Sequence, residues 1–488
     1  MGPQPNTIAY LALLAWPVVV LLLFLRFRPD TATALAILGG VLVLPAGVEF
    51  DYVGLPPLDR ISISCLSALL AFLLLHPGRI QRLRPGTGVE LFAVVLVLSS
   101  FATARTNPDG LYYGGVAVPG MSLGDGVSLA SDNVLTVWLP FFLGRWLFRR
   151  PEQIRRLLAI LAGVMLVYSL PILYELRMSP QLHRLVYGFH QHDFHQTMRG
   201  GGWRPMVFTA HGLVAAQYVL LGTAAALALW RSGRSVLGLP ALPLAAWLGV
   251  LLVAMKSLGA LVYAAWLLPT IAWLRPRWQL YLASLLVGLV FSYPIARAAG
   301  LVPVDALVSG AKRVSSERSQ SLAFRLEHEG ALLERALERP WLGWGLFGRN
   351  RLRDAMTGKD ISVTDGYWVI ALGKQGIVGF VCNFGLALFP VWIAAYQQRR
   401  VRRGRSRRWL AALACIVAVG GLNLLPNAQF DPVFLLCSGA LLGVAEAARA
   451  SSAAPARSRW RRGRRIGRSG PRRSDPDRTG DAGAEQLS

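Results

Sequence analysis

Long apolar runs alternate with short polar breaks along most of the 488 residues. Each run approaches the roughly 20 residues that a helix needs to cross the hydrocarbon of a bilayer. The runs begin near residues 7, 31, 61, 88, 131, 155, 206, 237, 257, 278, 366, 409 and 431, and so predict about thirteen spans. Backbone groups in hydrocarbon must be bonded within their own segment, so the runs are expected to be helices. A barrel would show alternating short strands, and none are visible. The expected fold class is an all-α polytopic membrane protein.

The polar breaks orient it. Arg26 and Arg28 follow the first run, Arg79, Arg82 and Arg84 the third, and Arg149, Arg150, Arg155 and Arg156 the fifth. Arg231 and Arg234 follow the seventh, Arg275 and Arg277 the ninth, residues 399–408 the eleventh, and an Arg-rich tail the thirteenth. Every second break is basic. By the positive-inside rule the N-terminus is then outside (periplasmic in a bacterium) and the C-terminus cytoplasmic. Three parts follow: N-terminal transmembrane helices (1–130), a membrane domain (131–447) with outer loops 178–205 and 301–365, and a basic cytoplasmic tail (448–488). The tail is Arg, Ser, Gly and Pro and is expected to be disordered, with WRRGRRIGR (460–468) resting on the inner leaflet.

Composition narrows the class. The chain is 54% hydrophobic and 16% charged, outside the range of soluble domains. A net charge of +25 would suggest nucleic acid in a soluble protein. Here the surplus sits in loops and tail, so anionic membrane lipids are the expected partner, and nucleic acid is not. Cys65, Cys382, Cys415 and Cys437 fall inside apolar runs without paired or metal-binding spacing. No cleavable signal pattern precedes the first run.

The chemistry gathers in the outer loops. RSQSLAFRLEHEGALLERALERPWLGWGLFGRNR (318–351) reads as an amphipathic helix lying in the outer interface. Leu322, Leu326, Leu333 and Leu337 form its apolar stripe. Arg318, Arg325, His328, Arg335 and Arg339 gather beside it, either facing phosphates or paired with nearby glutamates. A second loop holds RGGGWRP, where Arg199 and Arg204 flank glycines that allow close approach to a phosphate. His211 is either a buried hydrogen-bonded residue or a site group. His190, His192, Asp193 and His195 lack standard zinc spacing. In TDGYWVIALGKQGIVG (364–379), Asp365 stands where a loop meets an apolar helix, as N-cap, as base, or as both. Lys374 lies inside the run, where a charge is costly and usually functional. Gly373, Gly376 and Gly379 suit close helix packing.

These features resemble the O-antigen ligase and O-antigen polymerase superfamily. Its members move glycans from undecaprenyl diphosphate on the outer face of the bacterial inner membrane. PWLGWGLFG (340–348) is similar to the family's Pro-x-x-Gly-x-Gly turn. Asp365, Gly366, Gly376 and Gly379 keep the spacing of a ligase pattern that begins with His. The resemblance covers roughly 130–445, and Asp in place of His points to the polymerase or exopolysaccharide branch rather than the lipopolysaccharide ligases. It implies a GT-C-like fold and an inverting glycosyltransferase without cofactor; no Asp-x-Asp stands in an ordered outer loop, so no metal is expected. It also implies an undecaprenyl-diphosphate-linked oligosaccharide as donor, and other polysaccharide-assembly proteins as partners. Asp365, Arg325 and His211 would be catalytic; Arg199, Arg204, Arg318 and Lys374 would bind the diphosphate. A flippase of the same lipid-linked glycan is the contrasting reading, but few intramembrane charges and no internal repeat favour it. A transferase using Glu49 and Asp51 as metal ligands is a third.

Overall fold

The structure, a computed structural model, describes residues 4–51, 57–78, 88–199, 201–313, 316–401 and 404–453. The predicted tail segment 460–468 lies outside them, as do Arg79, Arg82 and Arg84. The first half is built from α1 (Thr7–Arg26), α2 (Pro29–Val43), α3 (Arg60–Leu75), α4 (Glu90–Arg105), α5 (Leu123–Asp132), α6 (Leu139–Leu147), α7 (Pro151–Met178) and α8 (Leu182–Tyr187). The second half is α9 (Gly212–Arg231), α10 (Ala241–Ala254), α11 (Leu258–Trp273), α12 (Pro276–Ala298), α13 (Val304–Lys312), α14 (Ser316–Leu337), α15 (Tyr367–Gln397), α16 (Arg405–Asn423) and α17 (Pro432–Ala453).

Each predicted apolar run contains a helix. Seven helical stretches are long and apolar enough to cross a membrane: α1, the continuous Leu123–Leu147, α7, α9, α12, α15 and most of α17. Four more, α2, α3, α10 and α11, are apolar but shorter. The chain is thus all-α with several membrane-crossing helices. Strand is not wholly absent, as the sequence suggested. Three short antiparallel pairs occur: β1 (Glu49–Phe50) with β2 (Leu58–Asp59), β3 (Leu111–Tyr113) with β4 (Val116–Val118), and β5 (Met198–Arg199) with β6 (Gly202–Trp203). All lie in the loops assigned to the outer face, where water can satisfy their free edges.

Local chemistry fixes several helix ends. Asp59 Oδ1 accepts from the amides of Ile61 and Ser62, each at 2.9 Å, and starts α3. The helix expected near 131 begins at Leu123 because Ser122 and Asp125 form a reciprocal capping box. It passes through a π-turn at Asn133–Trp138 before α6. The final helix continues to Ala453, past the expected tail boundary at 448. At the end opposite the outer loops, Arg145 sews α4, α6 and α17 together. It meets Glu90 at 2.5 Å and Glu446 through two bonds of 3.0 and 3.1 Å. The loop after α7 is pinned by Glu175, which accepts from the amides of Leu182, Met206 and Val207.

The helix α15 is broken. Gly376 has φ 65° and ψ −165°, which interrupts the intrahelical bonding. The freed backbone groups pair with the PWLGWG loop instead. Ile377 N–H donates to Pro340 O at 2.7 Å, while Trp344 and Gly345 N–H donate to Gly373 and Lys374 O, both at 2.8 Å. Thr103 Oγ1 and Asn107 Nδ2 of the α4 end hold the same loop through Leu342 O and Gly343 O. Buried backbone groups must be bonded, and this loop does the bonding. Gly376 is therefore a docking break rather than only a small residue for packing.

Candidate functional site

At the end of the bundle that the sequence assigned to the outer face, α14 lies over the ends of α11, α12, α15 and α16. Between them is a cleft of about 340 Å³. Leu322, Leu326 and Leu332 of α14 and Val369, Leu422 and Leu425 from the bundle make much of its wall apolar. Tyr263 and Tyr293 add aromatic surface, and Arg325, Glu329 and Asp365 supply its charge. α14 can lie this way because its apolar stripe faces the bundle: Leu326 and Leu333 are buried, whereas Leu337 is exposed.

Two residues singled out in the sequence meet here. Arg325 Nε lies 3.2 Å from Asp365 Oδ2, and both side chains are about 40% exposed (42% and 36%). Asp365 is not the N-cap of α15, as one reading had it. Gly366 occupies that position without a side-chain cap bond. The amide of Tyr367 donates instead to Leu424 O and Asn427 O, both at 3.0 Å. The carboxylate is thus free of capping duty and faces the cleft.

The other candidates lie elsewhere. Arg204 is buried in the loop before α9 and donates to Ser257 Oγ at 3.3 Å. His211 caps α9, its Nδ1 accepting from Leu213 N–H at 3.0 Å, and its ring meets that of His192. Lys374 is exposed, does not line the cleft, and interacts electrostatically with Asp132. The side chains of Arg199 and Arg318 lie outside the described residues. Arg335 and Arg339 prove to be architectural. Their guanidinium groups sit 3.5 and 4.4 Å from the ring centre of Trp344. Arg335 also pairs with Glu338 at 2.5 Å, and Arg339 with Asp109 at 3.3 Å. The carboxyl of Asp109 is held below its ordinary range, first by its own backbone N–H and then by Arg339 and Arg349. His183, in the loop of histidines, is a buried structural residue. Burial lowers its pKa to about 4, and its ring bridges Ala46 N–H and Phe189 O. No group of three or more His, Cys, Asp or Glu arranged for a metal occurs among the described residues.

The sequence offered Glu329 only as one of four glutamates, with Glu327, Glu334 and Glu338, that could pair with the arginines of its own helix. Glu329 Oε1 accepts from Tyr293 Oη at 2.9 Å and from Arg297 Nε at 3.1 Å, and its Oε2 accepts from Trp368 Nε1 at 3.3 Å. A signal existed: Glu329 is four residues after Arg325 and so shares its helix face. The partners, on two other helices, carried none.

The cleft can accommodate a molecule with an apolar part, next to an arginine and a carboxylate that are both partly open to solvent. No protein-family model matches the chain, and no curated protein matches it.

Proposed function

We propose that this chain is a glycosyltransferase of the bacterial inner membrane, crossing it about thirteen times with the N-terminus outside and the C-terminus in the cytoplasm. It takes oligosaccharide from undecaprenyl diphosphate at the outer face and joins it to a sugar hydroxyl. The product is a growing O-antigen or exopolysaccharide chain. The observation that carries this reading is the Arg325–Asp365 pair in a cleft with apolar walls. Such a cleft suits an amphiphile whose headgroup is a diphosphate.

The chemistry needs a base and a stabilised leaving group. The Asp365 carboxylate takes the proton of the acceptor hydroxyl as that oxygen attacks the anomeric carbon. The bond from that carbon to the phosphate oxygen breaks with inversion, and its electron pair leaves on undecaprenyl diphosphate. Arg325 stabilises the charge that develops there. The proton on Asp365 then passes to water. Without substrate, the two groups neutralise each other. An exposed pair of this kind is worth at most about 1 kcal/mol. A diphosphate with two or more charges therefore displaces the carboxylate from Arg325 and leaves Asp365 open as base. Asp at the position of the ligase His favours repeat-unit polymerisation over ligation.

Deleting the gene in its host tests this. The reading expects loss of long surface chains, with single repeat units still attached to the acceptor. Polymer left on the polyprenyl carrier with uncapped acceptor would indicate a ligase. Intact polymer on both would refute the transferase reading.

A further inference from the structure

We propose that Glu329 is the positioning residue of this cleft, setting the separation of Arg325 from Asp365; the role in catalysis rests on the transferase reading above. The carboxylate ties three elements together. α14 carries Arg325 and Glu329, α12 supplies Tyr293 and Arg297, and α15 supplies Trp368, three residues after Asp365. Arg297 also donates to Leu326 O at 2.8 Å, so the α12 guanidinium grips α14 through both backbone and side chain. The Tyr293 and Trp368 rings meet edge to face at 5.4 Å, and Trp368 is fully buried. Three partners from two other helices thus converge on Glu329 beside the Arg325–Asp365 pair.

The sequence is shaped around this junction. Gly330 sits in mid-helix, where glycine costs about 1 kcal/mol relative to alanine. A Cβ there would lie 3.3 Å from Arg297 Nη2. A Cβ at Gly366 would lie 2.9 Å from the Trp368 ring and 2.4 Å from Leu425 O. Both glycines clear room for the groups that hold Glu329.

Glu329 is not a second base. Three donors occupy it, one of them a guanidinium, and its side chain is 13% exposed. Asp365 has one charged partner and is open to the cleft. The role of Glu329 is therefore to hold α14 against α12 and α15 at the cleft, as Arg335 holds its far end on Trp344.

The test reads geometry and turnover in parallel. Spin labels at Ser321→Cys and Leu258→Cys, both exposed sites, report how α14 sits on the bundle. The four native cysteines are buried. The doubly labelled parent is expected to give one narrow distance distribution. Glu329→Ala broadens it, and Glu329→Gln, which keeps the shape but loses the charge, broadens it less and serves if the alanine variant does not fold. Glu334→Ala, an exposed carboxylate on the same helix, leaves it unchanged. With lipid-linked repeat unit as substrate, Glu329→Ala lowers kcat about 10- to 100-fold, with the donor KM within about threefold. Unchanged distance and unchanged turnover overturn the proposal. Unchanged distance with lost turnover also overturns it, because Glu329 would then act on the reaction itself. A broadened distance in a protein whose parent shows no transfer upholds the positioning of Arg325 and removes the transferase reading alone.

Discussion

Gly376→Ala is the most informative single substitution for the fold. Gly376 has φ 65° and ψ −165°, a region essentially closed to residues with a Cβ. Forcing alanine into it costs about 1–3 kcal/mol. The added Cβ would also lie 2.2 Å from the carbonyl carbon and oxygen of Trp341. Those are backbone atoms, so no side chain can swing aside. The PWLGWG loop must move as a unit, and it is held by the bonds to Gly373, Lys374 and Ile377. Relieving such a contact costs a further ~1–3 kcal/mol. The two terms together predict a loss of about 2–6 kcal/mol. Thermal unfolding of the detergent-purified protein, followed by fluorescence of its 15 tryptophans, measures it. Gly288→Ala is the control. That helical glycine has open space around it, so alanine is expected to be neutral or to stabilise by up to about 1 kcal/mol. If Gly376→Ala unfolds at the same temperature as Gly288→Ala, the docking of the loop into a broken α15 is refuted.

Other substitutions probe the supports. Trp344→Leu removes the surface under Arg335 and Arg339 and the indole bond to Arg335 O, and should destabilise by about 1–3 kcal/mol in the same assay. Arg145→Met leaves Glu90 and Glu446 facing each other without their shared cation; a loss of about 3–5 kcal/mol is expected, partly recovered by adding Glu446→Leu. His183 gives a pH dependence. Its folded pKa, near 4, lies below the ordinary 6.5, so the folded state favours the neutral ring. That contribution is fully present above about pH 6.5 and shrinks as pH falls toward 4, by about 3 kcal/mol in total. A stability profile from pH 7 to 4 should flatten in His183→Gln, and an unchanged slope would contradict the assignment.

What could be read from the chain was what lies close in sequence or is imposed by the bilayer. A run of some twenty apolar residues has one low-energy form in hydrocarbon, so the apolar helices were legible, whereas the short α8 and α13 were not. The amphipathic character of α14 was legible for the same reason, since its leucines and arginines are separated by local periodicity. Arg325 and Asp365 could be chosen by residue type, but their meeting depends on how α14 folds back over α15. Asp365 was open to reading as an N-cap because its place before an apolar run fits that role. Only the path of the backbone into the α16–α17 loop shows Gly366 in that position. The break at Gly376 was hidden because glycine at a regular spacing looks the same whether it packs or bends. The partners of Glu329 were hidden because Tyr293, Arg297 and Trp368 are remote from it in sequence.

The central claim is that Asp365 is the base of a transfer reaction whose donor is held by Arg325. The direct measurement uses purified protein in lipid nanodiscs with a fluorescent undecaprenyl-diphosphate-linked repeat unit, comparing wild type with Asp365→Asn. The asparagine keeps the shape of the side chain but cannot take a proton. The account predicts turnover lowered by about 10²- to 10⁴-fold. It also predicts donor binding as tight as in wild type or tighter, because Arg325 has lost its competing carboxylate. Wild-type turnover in Asp365→Asn would contradict it.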